Sequence, residues 1–167
     1  PHPHRLRSVL GLEAKNAAIV MDDADVDHAV RECALGSLSF NGQRCTAIKM
    51  IFIQDKIADE FLEKFCRVVE ELPCGMPWHD GVKITPLPEE GKMERLAGMV
   101  DDATSRGARV LNPRGGHVNH TLMRPSVVFP VQKGMRLYEE EQFGPIVPVK
   151  SFSEISEPMN YVVESSY

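Results

Sequence analysis

Ala17-Ala18-Ile19-Val20-Met21-Asp22-Asp23-Ala24-Asp25-Val26 passes from one hydrophobic rhythm to another. The unbroken apolar run 17–21 reads as a strand buried on both faces, the pattern of a parallel sheet. The four residues after it include three aspartates, whose carboxylates suit the positive end of a helix and its free N–H groups. Val26, Ala29, Val30, Cys33, Ala34 and Leu38 then recur at helical spacing. A buried strand that feeds an amphipathic helix is half of a βαβ unit.

Outward from this unit the alternation continues. Residues 9–12 form a second apolar run, read as a strand. Asn41-Gly42 breaks the first helix, and residues 48–53 read as the next strand. Asp55 caps a helix whose stripe is Ile57, Phe61, Leu62, Phe65, Val68, Val69 and Leu72, and Pro73 ends it. Residues 74–88, rich in Pro and Gly, read as a long surface loop with Trp78 as a packing anchor. A helix follows over about 89–106, with Met93, Leu96, Ala97, Val100 and Ala103 on one face and Gly107 at its C-cap. Residues 108–111 are a short strand and 112–119 a loop. Residues 122–129 are extended but broken by Pro125, 144–150 form a strand entered through Pro145, and 154–167 read as a helix. The expected fold is α/β: an open, mostly parallel twisted sheet with helices on both faces.

Composition narrows the function. The 167 residues are 43% hydrophobic and 26% charged, ordinary values for one globular domain, here 1–167. A net charge of −5 argues against nucleic acid or an anionic membrane as partner. No apolar run approaches the roughly 20 residues of a membrane helix. The four cysteines, Cys33, Cys45, Cys66 and Cys74, form no CxxC pair, so neither a zinc site nor a disulfide framework is expected, and a reducing, cytoplasmic setting is. The histidines, in loops, the N-terminal stretch or an exposed helix face, are expected in solvent. No GxGxxG or GxxxxGK[ST] is present, so any dinucleotide must find most of its site elsewhere. The abrupt ends suggest a piece of a longer chain.

Cys45 follows the polar segment Asn41-Gly42-Gln43-Arg44, better placed to react than Cys33 or Cys66 on core faces, and Arg44 beside it favours the thiolate. A small half-buried thiol is the competing reading. Four segments occur in order: Ala14-Lys15-Asn16-Ala17-Ala18-Ile19-Val20, Asp23-Ala24-Asp25-Val26-Asp27, Gly42-Gln43-Arg44-Cys45-Thr46-Ala47 and Glu140-Glu141-Gln142-Phe143-Gly144-Pro145. Their order and intervals resemble signature segments of the aldehyde dehydrogenase superfamily, over about residues 7–167. Leu72-Pro73-Cys74-Gly75-Met76-Pro77-Trp78 and Ile84-Thr85-Pro86-Leu87 look most like its non-phosphorylating, NADP-dependent glyceraldehyde-3-phosphate dehydrogenases.

The resemblance implies a Rossmann-like catalytic domain of a larger enzyme, with the cofactor-binding domain outside this chain. It implies that Cys45 attacks an aldehyde to give a thiohemiacetal, that hydride passes to NADP or NAD, and that water releases the acid from a thioester. It assigns the oxyanion contact to the backbone N–H of Cys45 and an asparagine beyond this chain. Glu141 matches the glutamate that holds the nicotinamide ribose, and Phe143 the aromatic beside the nicotinamide. Arg44 matches a substrate-phosphate position, against the alternative of a surface arginine serving the thiolate. The implied partners are a small-molecule aldehyde, the remainder of the parent chain and further copies of it in a homo-oligomer.

One position departs from the family pattern. Aligned on Lys15, the water-activating glutamate falls on Gly11, which cannot accept a proton. Glu13, two residues along an extended chain and so on the same side, can take over as base. Otherwise Glu13 is structural, and the thioester passes to coenzyme A as in relatives lacking that glutamate, or the chain is a fragment that keeps only the fold.

Overall fold

The computed structural model describes residues 13–167. The expected strand at 9–12 and the expected base position Gly11 lie outside them. Strand β1 (Ala17–Val20) leads through Asp25, whose side chain accepts from His28 N–H, into helix α1 (Val26–Leu38). A short 3₁₀ turn, Ser39–Gly42, closes α1. Strand β2 (Met50–Gln54) and helix α2 (Asp55–Glu71) follow, then α3 (Lys92–Ser105), β3 (Arg109–Val110), β4 (Val118–Asn119), β5 (Leu122–Met123) and β6 (Ser126–Phe129). A single helical turn, α4 (Arg136–Glu139), precedes β7 (Ile146–Phe152) and α5 (Ser156–Glu164).

The main sheet has the order β1-β2-β7-β6-β3, parallel except where β3 pairs with β6. Alternation along the strands sorts the core into two layers. Ile51 and Ile53 of β2 and Val147 and Val149 of β7 meet Val30, Leu38, Phe61 and Phe65 of α1 and α2. Met50 and Phe52 point the other way, to Leu96 and Met99 of α3 and Tyr161 of α5. Helices therefore cover both faces, as the unbroken apolar runs require, because a strand that is apolar on both sides needs two covers.

Several boundaries differ from the sequence reading. The strand expected at 48–53 starts at Met50, because Ile48 N–H is spent on Gly36 O and so belongs to the loop after Cys45. Helix α3 begins at Lys92 rather than 89, since Gly91 stands at φ +70°. The final helix is shorter than 154–167. Residues 74–88 are not purely a surface loop: Ile84 and Leu87 are buried, and Cys74 bridges to Ile84. Trp78 does not anchor packing; it is 70% exposed and stands edge-to-face with His79, with ring centroids 6.1 Å apart. Residues 118–123 form a small antiparallel ribbon, β4 with β5. Among the described residues no helix is long and apolar enough to cross a membrane.

Candidate active site

The site is built where α1 gives way to β2. Phe40 and Asn41 have φ of 53° and 59°, and Gly42 has φ of 70°, so three successive residues turn left-handed. Such backbone is costly for a side-chain-bearing residue and persists where its surroundings hold it. Asn41 is held by two bonds: Nδ2 donates to Thr85 Oγ1 (2.9 Å), and Thr85 N–H donates to Asn41 Oδ1 (2.8 Å). At Gly42 a Cβ would lie 2.7 Å from Gly144 O and 2.8 Å from Ser37 O, so glycine lets this turn abut the segment before β7.

The turn delivers Cys45 to the surface as an exposed free thiol. Its neighbours are fastened through their carbonyls. Asn16 Nδ2 donates to Cys45 O (2.6 Å) and Ala47 O (3.0 Å). Arg44 O accepts from Ala47 N–H (3.1 Å) and from Lys49 Nζ (2.7 Å), and Lys49 also donates to Gly42 O (3.1 Å). The other thiols are poorly suited to attack: burial pushes Cys33 and Cys66 up to about 11 and Cys74 upward as well.

Glu141 and Phe143 come from the segment between α4 and β7. Arg95 of α3 holds that backbone, donating to Glu141 O (2.8 Å) and Gln142 O (3.2 Å). The Glu141 carboxylate is buried, with Oε1 3.1 Å from Lys49 Nζ, an ion-pair distance without the alignment of a hydrogen bond. Phe143, at φ 44°, has the ammonium groups of Lys49 and Lys92 at 4.9 and 5.2 Å from its ring centre. Beneath them Gln142 donates to Lys49 O and Ile146 O, and accepts from Lys15 Nζ at 2.9 Å. Among the described residues no carboxylate pairs with the buried Lys15 ammonium; burial, reinforced by Lys49, lowers its pKa to about 7 against the pull of Glu141 and Glu140.

An open cleft of about 330 Å³ is lined by Glu13, Glu89, Lys92, Arg95, Glu141 and Phe143. It brings Glu13 together with Glu141 and Phe143; Cys45 is not on its wall. Glu13 also stands beside Tyr167, whose pKa is raised by burial first and by the Glu13 carboxylate next. Arg44 is only partly free: Nη2 donates to Ser39 Oγ (2.5 Å), the guanidinium lies 5.4 Å from the centre of the exposed Phe40 ring, and Nε is shielded with no acceptor. Among the described residues no cluster of three or more His, Cys, Asp or Glu is placed to hold a metal.

Sequence reasoning missed Asn16, Lys49 and Gln142, and quoted Lys15 only as an alignment anchor. One signal was available: Lys49 opens the apolar run of β2, and a lysine is almost never fully buried unless it is paired.

The chain matches the aldehyde dehydrogenase family over residues 3–167. It is 36% identical over 165 residues to a salicylaldehyde dehydrogenase of Pseudomonas putida, covering 98% of this chain and 34% of the relative. It is 35% identical over 161 residues to an NADP-dependent glyceraldehyde-3-phosphate dehydrogenase of Streptococcus equinus, covering 95% and 33%. Among solved structures, the salicylaldehyde dehydrogenase of Pseudomonas putida G7, complexed with salicylaldehyde, superposes with a TM-score of 0.91 at 34% identity over 98% of this chain and 34% of that one. The NADP-dependent glyceraldehyde-3-phosphate dehydrogenase of Bacillus halodurans C-125, complexed with NADP, gives 0.88 at 36% identity over 93% and 32%. The chain thus spans about a third of the length of these relatives.

Proposed function

The chain belongs to the aldehyde dehydrogenase family, and from that premise we propose that it is the thiol-bearing part of an NADP-dependent enzyme that oxidises aldehydes through Cys45. The observation that carries this is the exposed Cys45 thiol at the end of a left-handed turn, fastened through Lys49 to Glu141 and Phe143.

In this reading the Cys45 sulfur donates its electron pair to the aldehyde carbon, and the carbonyl π pair moves to oxygen. The oxygen becomes anionic and is met by the Cys45 N–H. When bound, the nicotinamide cofactor, NADP by analogy with the relatives, supplies the acceptor for the hydride that leaves the adduct carbon. Glu141 suits the ribose end of that group, because its buried Oε1 still has no directed donor, and a ribose hydroxyl would supply one. Phe143 offers a ring on the same cleft wall. Glu13 takes the proton of the water that attacks the resulting thioester, the Cys45 thiolate leaves, and the acid is released.

For the substrate, Arg44 favours an aldehyde bearing an anion: its half-buried guanidinium stands one residue from the exposed nucleophile. Replacing Cys45 by Ser in the full-length protein is expected to abolish NADPH formation, and persistence of turnover would refute the assignment. Arg44→Met should raise KM for glyceraldehyde 3-phosphate by tenfold or more while that for salicylaldehyde changes less than threefold. Equal effects on both would remove the anionic preference. Acid rather than acyl-coenzyme A as product, with coenzyme A supplied, distinguishes hydrolysis from acyl transfer.

A further inference from the structure

The ammonium of Lys49 is enclosed, with 1% of the side chain exposed, and its surroundings are specific. It donates to Arg44 O at 2.7 Å and Gly42 O at 3.1 Å, and lies 3.1 Å from Glu141 Oε1. Of the three protons of the ammonium, two are directed at the carbonyls, and the carboxylate is held beside it as an ion pair. The two carbonyls belong to the turn that carries the nucleophile and the carboxylate to the segment assigned to the cofactor. Phe143 presents its ring face to the same nitrogen at 4.9 Å.

The Arg44 oxygen has a consequence for Cys45. A trans peptide is planar, so its C=O and N–H point in opposite directions. Arg44 O is held inward by Lys49 Nζ and Ala47 N–H. The N–H of the same peptide belongs to Cys45 and must therefore point outward. Among the described residues that N–H donates to no protein acceptor. Its other neighbour is fixed too, since Asn16 holds Cys45 O at 2.6 Å. The ammonium also polarises the Arg44–Cys45 amide, which makes its N–H a stronger donor.

We propose that Lys49 is a positioning residue: by clamping the Arg44 carbonyl it aims and strengthens the Cys45 N–H for the oxygen that turns anionic when the thiolate adds, and ties this donor to the Glu141 side of the site. The inference rests on Cys45 being the nucleophile. It concerns one step, in which the sulfur–carbon bond forms and the carbonyl π pair settles on oxygen. Loss of a single donor to such an oxygen costs about 10²–10³ in kcat.

Two reactions of the same thiol separate this role from a structural one. Aldehyde oxidation develops an oxyanion; alkylation by iodoacetamide displaces iodide at a saturated carbon and develops none at the reacting centre. In the full-length protein, Lys49→Met is expected to lower kcat for aldehyde about a hundredfold, with KM changed less than threefold and the Cys45 alkylation rate, followed by peptide mass, within threefold of the parent. A kcat within twofold of the parent overturns the proposal. So does a parallel loss of turnover and alkylation, which marks a structural role. Should Lys49→Met fail to fold, Lys49→Arg keeps the charge beside Glu141 but replaces the single nitrogen that reaches both carbonyls; it is expected to lose at least tenfold in kcat with alkylation retained, and full activity there overturns the proposal equally. Cys45→Ser serves as the separate control. If it retains turnover, the nucleophile assignment fails; if it is inactive while both Lys49 variants are fully active, only the role of Lys49 fails.

Discussion

Glu13 lies on the wall of the cleft shared with Glu141 and Phe143, and its carboxylate also neighbours Tyr167. It stands four residues ahead of β1. If Glu13 activates water, its loss slows only the step after hydride transfer. Glu13→Gln in the full-length protein is then expected to lower steady-state turnover by about 10²–10⁴ while leaving a rapid first burst of NADPH equal to the enzyme present. Unchanged steady-state turnover would remove Glu13 from the mechanism. The residue types of Cys45, Glu141 and Phe143 were legible because each sits in a compact segment of distinctive order. Lys49 and Asn16 were not, because their work is done on backbone carbonyls, which every residue has and no motif displays.

The turn from α1 to β2 depends on its backbone more than on its side chains. Asn41-Gly42 was legible as a helix break, but not as a run of three left-handed residues, because Asn41 is held by the distant Thr85 and Gly42 lies against the distant Gly144 backbone. Gly42→Ala must place a methyl group against two backbone oxygens at a φ of 70°, where neither neighbour can yield cheaply. Its expected cost is at least about 1–3 kcal/mol of stability, measured by urea unfolding, with turnover lost beyond what the lower stability explains because Cys45 moves with the turn. Wild-type stability and turnover in Gly42→Ala would show that the turn adapts. By contrast, α2 was read almost to the residue. Its apolar stripe and the terminating Pro73 are local facts, and the observed helix, Asp55–Glu71, follows them.

Across the whole molecule, buried Lys15 should contribute to the response to alkaline pH, in the same sense as Lys49, whose pKa burial also lowers. Lys15 titrates near 7 in the folded chain against about 10.5 when free. Between these values the unfolded chain binds the extra proton, so stability rises with pH from about 7 upward. Above about 9 the buried thiols Cys33 and Cys66, held up to about 11, act in the opposite sense, because the unfolded chain loses their protons first. Urea unfolding of the chain at pH 7 and pH 8.5 should therefore show greater stability at the higher pH, and Lys15→Met should reduce that difference; an equal slope in the variant would rule out Lys15 as a source of it. The alternation of apolar runs and helical stripes, together with four ordered segments, was enough by itself to determine the α/β class, the two-sided cover of the sheet and the family, since these depend on local periodicity and residue order. Only the tertiary structure decided that Ile84 and Leu87 enter the core, that Trp78 does not, and that Lys49 joins the Cys45 turn to Glu141. Those facts depend on which distant groups meet, and burial and hydrogen bonding between segments about a hundred residues apart leave no periodic trace in the chain.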